Sequence, residues 1–407
     1  MTAGVLVVGA SQAGVQVAVS LRDLGYDGPI TLAGAELHPP YQRPPLSKAY
    51  LKDATAALDL RDPAFYASRR IDLLTGERIT GFADRGVART DRGHLLAFDR
   101  LALTVGARPR RLTVPGAGLD GVRYLRDRDD AEALRGHLAS ARRVVVVGGG
   151  FIGLEIAAAA RSRGCEVTVL EAAPRLMGRA VDPVISAFYL RAHTRRGVSV
   201  VLDARLALIE GDSHVTGVRL ADGTRLPADL VVAGVGVVPR TELASELGLL
   251  VDGGIVVDAR ARTSDPEVVA AGDCTVQPNP LTGAGRIRIE SMPNAIAQGR
   301  AAAATLAGAP SPAADVPWFW SDQYDLKLQI AGVADGHDQV VVRGDPDGES
   351  FSALYYRDGE LQAVNAVNRA ADYLVVRRAL TGRIPLPADL AARADVPLKE
   401  LLAVSAR

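Results

Sequence analysis

Between residues 144 and 171 the chain changes its hydrophobic pattern in a fixed order. A block of valines, Val144 to Val147, runs into Gly148, Gly149 and Gly150. A long apolar stretch from Phe151 to Ala160 follows, with Glu155 set inside it, and a second apolar segment then ends at Glu171. A short β-branched block, a glycine break, a helix-length block and another short block predict a strand, a turn, a helix and a strand. The same order occurs in weaker form at the start of the chain: Val5 to Val8, a break from Gly9 to Gly14, a helix from about Val15 to Leu24, and a strand over Ile30 to Leu32. Towards the other end, Pro293 opens a good helix-forming stretch that Gly308 closes. Strand-like runs follow at Leu326 to Val333, Gln339 to Arg343 and Phe351 to Tyr356.

The glycines in the two breaks carry the first chemistry. Gly148, Gly150 and Gly153 have the G-x-G-x-x-G spacing: the first permits a tight turn, the second lets backbone approach a pyrophosphate, and the third allows close packing of helix on strand. The helix N-terminus then faces the phosphates. Glu171 closes the second strand where a carboxylate accepts hydrogen bonds from an adenosine ribose and repels a 2′-phosphate, which selects NADH over NADPH. A purely structural strand-to-helix turn is the other reading of such glycines, and the complete βαβ context with its terminal acid argues against it. In the earlier copy Gly9, Ser11 and Gly14 hold the corresponding places, and Ala35 and Glu36 stand at the ribose position. Ala13 and Ile152, inside the two turns, are grouped with the nucleotide-binding residues. An enzyme that binds NADH rarely needs a second nicotinamide, so the first site is expected to hold FAD, whose ADP half makes the same demands on the fold.

Length and composition narrow the class. A chain of 407 residues exceeds one ordinary core, and an apolar content of 48% supplies two or three domains. Its 47 basic and 47 acidic residues cancel, so bulk charge gives no reason to expect nucleic acid or an anionic membrane as partner. Met1 to Gly4 leads into Val5 without a basic leader, and no run approaches the roughly 20 apolar residues of a membrane span, so the cytoplasm is the expected location. The two cysteines, Cys165 and Cys274, lie far apart and form no C-x-x-C pair. No redox dithiol and no metal site is expected, and both read as small core side chains.

Tyr41 to Lys48, YQRPPLSK, is a proline-stiffened loop bearing Arg43 and Lys48. Taken alone it could be a solvated basic loop. Together with the two fingerprints it resembles the FAD-dependent NADH:ferredoxin reductases of bacterial oxygenase systems, of the putidaredoxin reductase and rubredoxin reductase kind. That resemblance implies an α/β architecture with two Rossmann-like domains, one for FAD and one for NADH, in the glutathione-reductase-like arrangement, plus a smaller α+β C-terminal domain. It also implies that Lys48 lies near the flavin N5 edge.

Further segments carry the resemblance along the whole chain. Leu101 to Arg110 matches a strand and turn that usually read A-T-G; here Thr104, Val105 and Gly106 stand there, and with the hydroxyl shifted by one place no side-chain role is transferred. Tyr124-Leu125-Arg126 matches a Y-L-R whose arginine meets the FAD phosphates, and Ile79 sits where an aliphatic residue contacts the adenine side. Gly234 to Pro239, including Gly236, resembles the return strand beside the nicotinamide. Ala270 to Cys274 resembles the motif whose aspartate, here Asp273, bonds to the ribityl chain. Met292 matches a backbone flavin contact, and the helix from Pro293 would direct its positive end at the flavin N1–C2=O edge, although an alanine-packed core helix is compatible with the same residues. Both tryptophans fall in Trp318 to Tyr324, WFWSDQY; such a cluster is commonly core, while the family match makes Trp320 a flavin-side residue. These placements imply an interrupted FAD domain, 1–110 and 242–315, around an NADH domain, 111–241, with an interface domain at 316–407 and a linker over Ala309 to Pro317.

The implied work is alignment of a hydride donor against the flavin. In the family Glu155 reaches the nicotinamide carboxamide; by position alone it is equally a helix-dipole acid on the first turn. Lys48, Glu155 and Trp320 are therefore the expected catalytic residues. With no dithiol to receive them, electrons leave from the flavin itself, most simply to a small iron–sulfur protein, a [2Fe–2S] ferredoxin or else a rubredoxin, steered by a local basic cluster that includes Arg300. An NADH oxidase, a redox-sensing flavoprotein and an NAD-binding interaction protein are the competing classes.

Overall fold

The computed structural model describes residues 3–283, 285–313 and 315–405. The chain divides into two compact units, one formed by Met1–Gln42, Ala57–Arg108 and Val238–Pro317, the other by Arg43–Ala56, Pro109–Val237 and Trp318–Arg407.

The first unit is built on a parallel sheet. Its strands lie in the order Val268–Ala270, Arg100–Leu103, Val5–Val8, Ile30–Gly34, Asp72–Thr75, with Val5 in register with both Ile30 and Arg100. The Val5–Val8 strand is buried along its whole length, as a central parallel strand covered on both faces must be. The helix that follows it spans Gln12–Asp23, three residues earlier at its start than the apolar pattern alone suggests, because Ser11 in extended backbone can begin a helix that the hydrophobic count cannot see. The second long helix, Met292–Ala307, also starts earlier than expected: Ser291 caps it, its hydroxyl accepting from the Asn294 amide at 3.2 Å, and Gly308 ends it at φ 67°. The two helices pack closely where a Cβ on Gly299 would come within 3.0 Å of the Ala13 carbonyl oxygen. The alanine-rich face of the later helix is therefore core, with Ala302 and Ala303 fully buried.

The second unit contains two five-stranded sheets and a small antiparallel one of Leu206–Glu210, Gly217–Leu220 and Arg225–Pro227. Of the larger two, one is parallel, ordered Val198–Val201, Glu166–Leu170, Arg143–Val147, Leu230–Ala233, Val122–Arg123, with the helix Phe151–Ser162 connecting its central pair. The other is antiparallel, ordered Trp318–Gln323, Leu326–Gly332, Glu360–Val367, Ser350–Arg357, Gln339–Asp345, and carries the helix Ala370–Gly382. A parallel βαβ layer and an antiparallel sheet with its own helix give the α/β plus α+β composition that the resemblance implies. Two of the strands run one or two residues beyond the apolar runs that mark them, to Ser350–Arg357 and Gln339–Asp345, because edge positions and strand ends tolerate polar residues that a hydrophobic pattern leaves out, while the strand read as Leu326 to Val333 ends one residue earlier at Gly332. The helices of Phe151–Ser162 and Pro183–Arg195 belong to one core with residues of the antiparallel sheet, among them Leu326, Leu328 and Phe351. Cys165 and Cys274 are buried free thiols, and burial pushes the Cys274 thiol up to about 12, so neither is poised for redox chemistry. Among the described residues no helix is long and apolar enough to cross a membrane, and no cluster of three or more His, Cys, Asp or Glu could hold a metal.

Candidate active site

In the first unit, the break after Val5–Val8 is a turn closed by its own backbone. Gly9 has φ 115°, and a Cβ there would meet the Thr104 carbonyl oxygen at 2.3 Å; one on Gly14 would meet the Gly9 carbonyl oxygen at 2.0 Å. The Thr104 hydroxyl donates to the carbonyls of Val8 and Gly9 at 3.0 and 2.9 Å. The hydroxyl displaced from the usual A-T-G place thus secures the fingerprint turn, a role that the shifted motif did not reveal. Ser11, in the middle place, begins the Gln12–Asp23 helix without a side-chain cap, and no acid occupies that helix's first turn, which leaves its positive end suited to an anion. Ala13 is buried on the first turn, Ala35 is exposed just past the second strand, and half-buried Glu36 accepts a hydrogen bond from Tyr41. Ile79 is buried at the start of the strand Ile79–Asp84.

Asp273 follows the Val268–Ala270 strand in a turn that sequence reasoning located without its support. Buried Gln298 accepts from the Gly272 amide at 2.7 Å and from the Thr275 hydroxyl at 3.0 Å, so the long helix clamps the backbone on either side of Asp273. Met292 is the first residue of that helix, and Arg300 is exposed on it.

In the second unit the glycine loop has two kinds of glycine. Gly148 (φ 107°) and Gly153 are required by the chain itself, since Cβ atoms would stand 2.4 Å from the Gly234 carbonyl oxygen and 2.0 Å from the Gly148 carbonyl oxygen. Gly150 is different: its φ of −78° suits any residue, and a Cβ would meet nothing within 4 Å. Nothing internal demands glycine there, and the open space in front of it at the helix N-terminus is what a pyrophosphate needs. Ile152 is 43% exposed on the first turn beside it. Glu171 accepts from the Gly149 amide at 2.7 Å and from the Ala173 amide at 2.8 Å, which fixes the carboxylate against the loop. Gly236, at φ 88°, turns the chain after the Leu230–Ala233 strand, and Arg179 reaches to within 3.3 Å of where its Cβ would be.

Glu155 does not behave as a surface helix-dipole acid. The helix begins at Phe151, its first turn contains no acid, and Glu155 is 2% exposed. Its Oε2 accepts from the Lys48 ammonium at 2.8 Å and from the Ser47 hydroxyl, while its Oε1 accepts from the Ser321 hydroxyl at 2.6 Å. A buried carboxylate is stable only when paired and fully hydrogen-bonded, and these donors meet that condition. The PPLSK loop is itself held to this unit: Tyr50 donates to Glu132 at 2.7 Å, and Arg43 donates to the Arg126 carbonyl at 2.7 Å. Arg126 is half-buried, its amide donating to Asp130 at 2.9 Å. Trp320 lies half-buried on the first antiparallel strand and stacks on Trp318 with centroids 5.5 Å apart, so the aromatic cluster is not a sealed core. Phe319, between them, packs on Phe151 at 4.7 Å. Ser47 and Ser321 were missed as site residues because a serine in a loop or strand carries no sequence signal; only their common acid reveals them.

Comparison with known proteins places this arrangement. Residues 3–299 match the pyridine nucleotide-disulphide oxidoreductase family, and residues 318–402 match the reductase C-terminal family. The chain is 44% identical to rhodocoxin reductase of Rhodococcus erythropolis, over 98% of this chain and 94% of that one. It is 42% identical to putidaredoxin reductase of Pseudomonas putida, over 98% and 97%. Among solved structures, the covalent putidaredoxin reductase–putidaredoxin complex superposes with a TM-score of 0.95 at 42% identity, covering 99% of this chain and 98% of that one. A ferredoxin reductase from Rhodopseudomonas palustris gives 0.94 at 44% identity, covering 98% and 99%. With two family models and close relatives spanning nearly its full length, the chain belongs to the pyridine nucleotide-disulphide oxidoreductase family, among its ferredoxin and rubredoxin reductases.

Proposed function

We propose that this protein is a FAD-dependent NADH:ferredoxin reductase that takes a hydride from NADH and passes electrons singly to a small [2Fe–2S] ferredoxin serving an oxygenase. The observation that carries this reading is the pair of dinucleotide turns in a chain whose cysteines, Cys165 and Cys274, are buried, unpaired and far from any dithiol motif. FAD, when bound, supplies a group that accepts two electrons at once and releases them one at a time. The residues present fit it: a turn closed at Gly9 and Gly14, a helix start free of acids, and a clamped Gly272–Asp273 turn.

The roles proposed for individual residues are those the resemblance implies. Ser11 and the neighbouring turn hold the FAD pyrophosphate, Glu36 or the backbone near Ala35 its ribose, Asp273 the ribityl chain, Arg126 its phosphates, and Ile79, Met292 and Trp320 its rings, with Arg43 close behind the same site. Gly148, Gly150 and Gly153 receive the NADH pyrophosphate, with Ile152 and Gly236 flanking the coenzyme. Lys48 tempers negative charge on the reduced flavin, and Glu155 orients the nicotinamide carboxamide. The domain borders follow as 1–110 with 242–315 for FAD, 111–241 for NADH and 316–407 for the interface. Arg300 is offered as part of the basic docking cluster, and an NADH-dependent enzyme with unpaired thiols fits the cytoplasm.

Coenzyme choice gives a direct test. Glu171 stands fixed at the ribose position; of the two arginines near enough in sequence to receive a 2′-phosphate, Arg175 is engaged instead with the carbonyls of Val181 and Gly178, both at 2.6 Å, and Arg179 reaches towards Gly236. Losing a hydrogen bond to a charged group costs about 1.5–3 kcal/mol, so kcat/KM should favour NADH over NADPH by tenfold to a hundredfold, and Glu171→Ala should shrink the ratio. Equal kcat/KM for the two coenzymes, or an unchanged ratio in the variant, would refute the assignment of this site.

A further inference from the structure

Beyond Ser321 the hydrogen bonds at Glu155 continue. Gln323 Nε2 lies 3.1 Å from Ser321 Oγ, Gln323 Oε1 lies 2.8 Å from His193 Nε2, and His193 Nδ1 lies 3.4 Å from the Tyr324 hydroxyl. Ser321, Gln323 and His193 are each fully buried. The direction of every bond is forced by the first. A carboxylate in an ion pair only accepts, so Ser321 donates to Glu155 and its oxygen is left to accept from the Gln323 amide nitrogen. The amide oxygen then faces His193, which must carry its proton on Nε2 and accept at Nδ1 from Tyr324. All four bonds point one way, towards Glu155.

Burial and the hairpin fix the far end of the chain. Burial, reinforced by the Arg196 guanidinium and opposed by the Gln323 bond, lowers His193 to about 4, so the ring is neutral and its single proton has a defined place. Tyr324 stands in the two-residue turn that joins Trp318–Gln323 to Leu326–Gly332, where its φ of 58° is that of a tight hairpin, and the turn brings its hydroxyl to His193. The other groups around the ring are accounted for: Tyr189 packs against it with ring centroids 6.5 Å apart, and Arg196 lies over Tyr324 at 5.1 Å while paired with Glu349 and Asp325.

We infer that Ser321, Gln323 and His193 are positioning residues that lock the Glu155 carboxylate, so that the orientation of NADH depends on the antiparallel C-terminal sheet as well as on the nucleotide fold. Ser321 holds one carboxylate oxygen while Ser47 and Lys48 hold the other, which prevents rotation of the group. Aligned bonds polarise one another, so the chain behind Ser321 strengthens its grip. This inference rests on the reading of Glu155 as the nicotinamide-orienting acid.

The test combines a spectroscopic and a kinetic readout on the holoprotein. Nitrogen-15 NMR of the histidine side chains, assigned with His193→Phe, should show a neutral Nε2–H tautomer for His193 throughout pH 5–8. Either the Nδ1–H tautomer or protonation within that range would overturn the chain. In rapid-mixing measurements, Ser321→Ala and Gln323→Leu should each slow flavin reduction by NADH about tenfold and weaken NAD⁺ binding several-fold with flavin content unchanged, whereas Ser321→Thr, which keeps the hydroxyl, should stay close to the parent. Variants that match the parent in both rate and affinity would overturn the positioning role. A parent that NADH does not reduce would instead refute the proposed function, and the tautomer would still decide whether the chain exists.

Discussion

Lys48→Met is expected to lower the stability of the unit that carries it by about 3 kcal/mol, and Glu155→Gln added to it is expected to restore most of that loss. The Glu155 side chain is 1% exposed and that of Lys48 16%, so removing the ammonium leaves a carboxylate in a site that water cannot reach to compensate it. Breaking one partner of a buried pair in this way typically costs about 3–5 kcal/mol; the hydroxyls of Ser47 and Ser321 remain as donors and hold the value to the lower end. Glutamine in place of Glu155 has the same shape, no charge, and an oxygen that still accepts from Ser321. Urea unfolding at matched slope reads the comparison. A single variant as stable as the parent, or a double variant less stable than Lys48→Met, would contradict the view that the pair is held together by charge rather than by packing. In the same samples flavin reduction by NADH should be slow in both variants, because stability returns with glutamine while the oriented carboxylate does not.

Gly150→Val should fold normally yet lose at least a hundredfold in NAD⁺ affinity, whereas Gly153→Val should fail to fold. The contrast follows from what surrounds each glycine. A side chain at Gly150 enters open space at the helix start, with backbone angles a β-branched residue accepts, and its only structural cost is a poorer N-cap of about 1 kcal/mol. It would fill the place assigned to the pyrophosphate. A hundredfold loss corresponds to about 2.8 kcal/mol, less than a full set of amide–phosphate bonds provides. At Gly153 the first added carbon meets the Gly148 carbonyl oxygen at 2.0 Å, and neither backbone can retreat without opening the strand–helix contact. Calorimetric titration with NAD⁺ and the yield of folded protein decide the matter. Binding by Gly150→Val within threefold of the parent would show that the coenzyme does not pass in front of this glycine.

What could be read from the sequence divides along physical lines. Both βαβ units were legible because a parallel strand buried on two faces must be a continuous apolar run and because the turn at Gly148 admits no side chain. Three of the five strands of the C-terminal sheet were legible, and the one at Gln339 was read short because its solvent-facing end, Gly344–Asp345, carries no apolar signal; Trp318–Gln323 and Glu360–Val367, with polar residues inside them, were not read as strands. Helix starts at Gln12 and Met292 lay outside the apolar count, being set by Ser11 and Ser291. At the site, the charged members Lys48 and Glu155 were found by motif, but their burial was not: an acid in a helix reads as an exposed dipole partner until the residues covering it are known. Ser47, His193 and the Ser321–Gln323 pair come from three separate stretches of chain, and only folding makes them neighbours. Thr104 shows the reverse case, a motif displaced by one residue whose hydroxyl nevertheless secures the fingerprint turn.

Electrons from NADH are expected to leave through a one-electron protein acceptor. The most direct measurement is NADH-driven reduction of cytochrome c by the purified yellow holoprotein, with and without a [2Fe–2S] ferredoxin, followed across ionic strength and with oxygen consumption recorded in parallel. Ferredoxin should accelerate electron flow many-fold, the acceleration should fall as salt screens the encounter, and Trp320→Ala should diminish it. If no ferredoxin accelerates the flow and oxygen uptake accounts for all the NADH consumed, the protein is an NADH oxidase and not a ferredoxin reductase.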